Sequence, residues 1–193
     1  MLAERLKNKH IILASGSPRR QLFFKELGLN FEIRLKEIDE VYPSYLKEGE
    51  ITDFLAILKA KPFINELNEN DILVTADTIV WLDNRAIGKP GSRDESIKML
   101  QNLSNKTHKV ISSFCITTHD SQIVKNDTTL VKFSELHISE IEFYVDNYKP
   151  YDKAGSYGIQ EWLGYIGIEK IEGCYFNVMG FPVQKFYREL IKL

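Results

Sequence analysis

The chain is poor in cysteine, with two in 193 residues, and Cys115 and Cys174 each lie among apolar neighbours. Buried free thiols are the expectation, ahead of a disulfide framework or a metal role. It has no excess of basic charge. The formal net charge of −2 excludes a global field that would attract nucleic acid or an anionic membrane. It has no apolar run of the roughly 18 residues needed to span a bilayer. The opening segment, Met1 to His10, is polar and lacks the apolar centre of a signal peptide. A cytoplasmic location is expected by default. The four histidines, His10, His108, His119 and His137, are scattered without metal spacing, which argues against zinc. There is no Gly-Lys-Ser/Thr of a P-loop, no Gly-x-Ser-x-Gly elbow and no cysteine placed as a nucleophile.

What is present is an ordinary globular composition, 44% hydrophobic and 27% charged, long enough for one domain or two closely packed lobes with a substantial core. Strand and helix patterns interleave, which predicts an α/β fold with a mixed sheet. Ile11 to Leu13 reads as a buried strand that ends in a small-residue turn. Ser15-Gly16-Ser17 is a turn, and a helix follows with Ser17 as its N-cap and Pro18 at its first position. Asn30 to Lys36 alternates as a half-buried strand. Ile51 to Leu67 has helical spacing, and Lys61-Pro62 is expected to shorten or kink it. Asp71 to Leu82 is a long apolar strand that turns at Asp83-Asn84 into Arg85-Ala86-Ile87. Ser92 to Leu103 is a helix with Ser92 and Glu95 in capping-box positions. His108 to Thr118 and Ile123 to Phe133 form a hairpin, and Ser139 to Asn147 is a helix stopped by Pro150. Tyr165 to Ile171 and Tyr175 to Val178 read as strands. Phe181 to Leu193 closes the chain as a helix. No repeat or linker interrupts this order, so residues 1–193 are expected to form a single domain.

Three features carry chemistry. The Ser15-to-Arg20 turn combines two hydroxyls, two guanidiniums and a helix N-terminus, a combination suited to phosphate; the plain alternative is an ordinary turn with solvated arginines. Asp77 lies inside an otherwise apolar strand, where a carboxylate is costly unless it is paired or binds a metal. It is a metal ligand or general base, or else a strand-end cap or an edge residue facing water. Glu40 sits in an acidic cluster, Lys59 in mid-helix and Lys89 at the foot of a hairpin; each taken singly is a solvated surface residue. Asp152 to Gln160 is a loop of small and hydrogen-bonding residues, with Gln160 offering both a donor and an acceptor. A hard ion held by carboxylates and phosphate oxygens suits this set better than zinc does.

The chain is similar to the Maf family of nucleoside triphosphate pyrophosphatases. The shared motifs are Ala14-Ser15-Gly16-Ser17-Pro18-Arg19-Arg20, Ile38-Asp39-Glu40, Leu55-Ala56 with Lys59-Ala60, Ala76-Asp77-Thr78, Lys89-Pro90, Leu103-Ser104 with Thr107-His108, Asp152-Lys153-Ala154-Gly155 through Gly158-Ile159-Gln160, and Gly180 with Pro182. Each is modest alone, but their order and spacing along nearly the whole chain are specific.

The resemblance implies an elongated mixed β-sheet flanked by helices, with two lobes around a central cleft, like the inosine triphosphatases. It implies hydrolysis between the α- and β-phosphates with Mg²⁺ or Mn²⁺. Asp77 matches the proton acceptor and, with Glu40, a metal position; Ser15, Arg20, Lys59 and Lys89 match phosphate positions. Arg19, Thr78 and Gln160 match the specificity positions of the branch that prefers dTTP and UTP, where a 7-methyl-GTP branch carries Trp and Gln at the first two. The implied cellular roles are removal of modified nucleotides and arrest of cell division. A nucleotide-binding regulator of division without turnover is the alternative, and a related inosine triphosphatase fits the Ser-Pro-Arg-Arg start and the Gly-Ile-Gln loop less well. Members are often homodimers, though no stripe here marks an interface.

Overall fold

A computed structural model describes residues 2–193. A short N-terminal helix, α1 (Leu2–Arg5), precedes β1 (His10–Leu13), α2 (Pro18–Glu26), β2 (Phe31–Ile33), α3 (Gly49–Ala60) and a 3-10 helix (Lys61–Glu66). Then follow β3 (Asp71–Leu82), β4 (Arg85–Ile87), α4 (Arg93–Leu103), β5 (Thr107–Thr117), β6 (Gln122–Phe133) and α5 (Ile138–Tyr148). After a short 3-10 turn (Ala154–Ser156) come α6 (Trp162–Gly167), β7 (Ile168–Glu172), α7 (Tyr175–Val178) and α8 (Val183–Leu190). The hydrogen-bonded strand order is β2-β1-β3-β5-β6-β7, with β4 on β3. The α/β class with a mixed sheet is as expected: β1 pairs parallel with both β2 and β3, and β4 and β7 pair antiparallel with β3 and β6.

Two compact units share the long strands. Among the described residues, the first comprises 2–77, 112–127 and 180–193; the second comprises 78–111 and 128–179. In the first, α3 and the 3-10 helix bring Ala56, Ala60 and Phe63 onto Ile12, Leu73 and Cys115. Beside them Phe24, Phe114, Phe181 and Phe186 pack as rings with centroids 5.0 to 6.0 Å apart. In the second, Leu100 and Leu103 of α4, Ile141 and Val145 of α5, and Leu163 of α6 enclose Val110, Val131 and Phe133. β3 is buried at eleven of its twelve positions, which explains why its sequence is a continuous apolar run and does not alternate.

Local signals are met where they are strongest. Asp83 and Asn84 take φ of 50° and 59°, the two left-handed residues of a tight hairpin turn. Ser92 Oγ accepts from the Glu95 amide at 3.2 Å, and the Glu95 carboxylate accepts from Gly91 N–H at 2.7 Å. Lys149 closes α5 at φ 45°, one residue before Pro150.

Four expectations are corrected. Ser17 stands at the N-cap of α2, but its side chain makes no capping bond; Ser15 Oγ accepts from the Ser17 amide at 3.3 Å and draws the turn inward. The expected strand over 30–36 shrinks to Phe31–Ile33, an edge strand with exposed Glu32 and Ile33. The first part of the expected strand over 165–171 is helical, and only Ile168–Glu172 pairs with β6. Tyr175–Val178 is a helical turn, because Asn177 reaches back to donate to Val110 O at 3.0 Å.

Candidate active site

In the first unit, β1 delivers the chain to the Ser15 turn. Ser15 is 7% exposed, and its carbonyl accepts from Gln21 Nε2 at 3.3 Å. α2 opens with no acidic residue in its first turn, so no carboxylate of that turn meets the positive end of its dipole. Arg19 is half-buried at this end. Arg20 is turned inward: Nε donates to Gly180 O at 2.9 Å, and Nη1 donates to Ala76 O at 2.9 Å and to Ser15 Oγ at 3.4 Å. Burial lowers its pKa to about 10, with Asp77 acting the other way, and it remains a cation at neutral pH.

The centre is a lysine between two carboxylates. Lys59 emerges from the last turn of α3, which ends at Ala60 where the 3-10 helix with Pro62 takes over. Its Nζ lies 2.6 Å from Asp77 Oδ1 and 3.1 Å from Glu40 Oε2. Asp77 is 6% exposed, and its carboxylate is compensated by this pair as a buried charge must be. Glu40 is half-exposed. Thr75 turns its hydroxyl to Ala56 O at 2.6 Å, tying β3 to α3 two residues before Asp77.

Among the described residues, no three His, Cys, Asp or Glu side chains converge as a closed metal site. The donors present suit a different arrangement. Magnesium-type ions take one or two carboxylates and complete their shell with water and substrate phosphate. Asp77 and Glu40, two oxygen donors facing one cation, fit that pattern.

The other sequence-predicted residues belong to the second unit. Thr78 follows Asp77 and is half-buried. Lys89 is exposed; the carbonyl of its neighbour Gly88 accepts from Gly155 N–H at 2.9 Å, which ties that turn to the Ala154–Ser156 turn. Gln160 is half-buried, and its Oε1 is enclosed with no hydrogen-bond partner among the described residues. In the same unit His108 Nε2 meets the Tyr157 hydroxyl at 2.6 Å. Two residues near Gln160 escaped sequence reasoning, Tyr144 and Glu161. Their signal is a tyrosine at an apolar position of α5, since a buried phenol needs a partner for its hydroxyl.

The fold is shared with a HAM1 protein from Coxiella burnetii, at a TM-score of 0.55 over 96% of this chain and 100% of that one, with 13% identity. Residues 10–193 match the family model described as Maf-like protein, and the chain belongs to that family. Over its full length it is 55% identical to the dTTP/UTP pyrophosphatase of Flavobacterium johnsoniae, which it covers completely. It is 56% identical to that of Flavobacterium psychrophilum, covering 99% of this chain and 98% of the relative. Against the dTTP/UTP pyrophosphatase of Phocaeicola vulgatus it is 49% identical, with both chains fully covered.

Proposed function

We propose that this chain hydrolyses dTTP and UTP to the nucleoside monophosphate and pyrophosphate. The observation that carries the reading is the buried Asp77 paired with Lys59 beside Glu40, on a chain 55% identical over its full length to a dTTP/UTP pyrophosphatase. In the reaction a water oxygen bonds to the α-phosphorus while the bond to the α–β bridging oxygen breaks. The electron pair of that bond departs with pyrophosphate. Asp77 orients the water and takes its proton. Lys59 and Lys89 offset charge on the phosphates and the leaving group. Ser15 and the open end of α2 offer donors to phosphate oxygens. Arg20 adds positive charge while its bonds to Ala76 O and Gly180 O hold the backbone next to Asp77. Asp77 and Glu40 would hold a divalent cation, Mg²⁺ or Mn²⁺, which when bound neutralises phosphate charge and activates water. Arg19, Thr78 and Gln160 select the base.

The test is pyrophosphate release from dTTP, UTP, CTP, GTP, 7-methyl-GTP and ITP with Mg²⁺ or Mn²⁺. Release is expected from dTTP and UTP, and Asp77→Asn should lower it by about 10² to 10⁴-fold. Turnover of 7-methyl-GTP or ITP in their place would sink the assigned specificity. Full turnover by Asp77→Asn would remove Asp77 from the chemistry. Tight nucleotide binding without pyrophosphate release would make the protein a sensor.

A further inference from the structure

The Gly158–Gln160 turn hangs from a chain of polar contacts that begins on α5. Tyr144 is fully enclosed, at 0% exposure. Its hydroxyl accepts from the Gly158 amide at 2.9 Å and donates a short hydrogen bond to Glu161 Oε2. The other oxygen of Glu161 meets Lys153 Nζ at 3.1 Å, and Lys153, itself buried, also meets Asp152 at 2.8 Å. The segment is therefore braced where it enters, at Lys153, and where it leaves, at Glu161. The closure is tight: a Cβ on Gly158 would stand 2.8 Å from the carboxyl carbon of Glu161. A side chain at that position would push the Glu161 carboxylate aside. Burial, reinforced by Glu161, raises the pKa of the Tyr144 hydroxyl and keeps it a donor.

Between these braces stands Gln160, whose Oε1 is enclosed without a partner among the described residues. An acceptor hidden from water with nothing to accept is costly. Turned toward a bound base, it would be satisfied by an N–H of that base. Uracil and thymine carry an N–H at ring position N3, and cytosine carries a lone pair at the same atom. The discrimination therefore depends on where the glutamine oxygen is held; the backbone carbonyl of Gln160 accepts from the Tyr165 hydroxyl at 3.2 Å, but no described bond fixes its side-chain Oε1.

Resting on the pyrophosphatase reading above, we propose that Tyr144, acting through Glu161 and the Gly158 amide, is the positioning residue for Gln160. Through it, Tyr144 sets the preference for uracil and thymine over cytosine nucleotides. It touches no reacting atom. Its loss blurs base selection and leaves the chemical step in place.

The experiment compares kcat and KM for UTP and CTP in wild type, Tyr144→Phe and Glu161→Ala, with thermal unfolding of each. Tyr144→Phe keeps the buried ring and removes only the hydroxyl. Glu161→Ala acts on a partly exposed side chain and reaches the same turn if the first variant folds poorly. In both, the UTP-over-CTP ratio of kcat/KM should fall by about tenfold or more. KM for UTP should rise while kcat stays within about twofold. An unchanged ratio in both variants overturns the positioning role, and so does a loss of kcat and thermal stability with the ratio intact. Wild type that releases no pyrophosphate from UTP overturns the pyrophosphatase reading itself. Selective wild type with equally selective variants removes only Tyr144.

Discussion

His108 shows how a single buried side chain ties this fold to pH. It is 2% exposed, its Nε2 bonds to Tyr157, and its Nδ1 has no hydrogen-bond partner among the described residues. Burial alone lowers its pKa to about 4. In the unfolded chain an imidazole titrates near 6.5. Between these values the unfolded state binds the proton more readily than the folded state. Stability from this residue is therefore complete above about pH 6.5 and declines as pH falls toward 4, by about 3 kcal/mol in all. Urea midpoints for wild type should drop across that window, and His108→Gln should flatten the drop. Equal slopes in both proteins would mean that His108 is not what titrates. Lys59 makes a different point at the same scale. By sequence it is one lysine on a helix, and its place between Asp77 and Glu40 exists only in the folded chain.

At the level of elements, the segment 162–178 is where local preference and final structure part. Tyr165 and Ile166 are residues that favour strands, yet Trp162–Gly167 is helical. The cause is the turn before it: Gly164 N–H donates to Glu161 O at 2.8 Å, and the chain doubles back at once over Ile159. A Cβ on Gly164 would lie 1.8 Å from the Ile159 carbonyl oxygen, so no other residue fits without moving backbone. Gly164→Ala should cost about 2 kcal/mol or more in urea unfolding. A change within about 0.5 kcal/mol, the range of ordinary surface substitutions, would show that the turn can relax. By contrast α4 and the β3–β4 hairpin carry their own instructions, in the Ser92 cap and the Asp83-Asn84 turn.

For the whole molecule, the feature that matters is how the chain is shared between its two units. It passes between them at Asp77/Thr78, Ile111/Ser112, Asp127/Thr128 and Met179/Gly180, so β3, β5 and β6 each contribute to both. Neither unit can lose its strands without pulling on strands of the other. One cooperative transition is therefore expected in calorimetry. Phe186→Ala in the first unit and Leu163→Ala in the second, both at fully buried sites, should each shift that same transition, at a cost of about 3 to 5 and 2 to 5 kcal/mol. Two separate transitions, each moved by only one variant, would show the units to be independent. No described helix is long and apolar enough to cross a membrane.

The order of elements from β1 to α5, the capped α4, the buried β3 and the oddity of a carboxylate at Asp77 follow from the sequence by itself. Each depends on neighbours within a few positions, where periodicity, caps and turn residues act directly. The ordered motifs from Ser15 to Gln160 likewise mark the family without any coordinates. Only the tertiary structure decided which groups meet. Arg20 bonds to Gly180 O across 160 positions, Lys59 joins Asp77 and Glu40, and Tyr144 reaches under Gly158. Such contacts are chosen by packing between elements. A buried donor takes whichever acceptor the fold brings within reach, and no local pattern in the chain names that acceptor in advance.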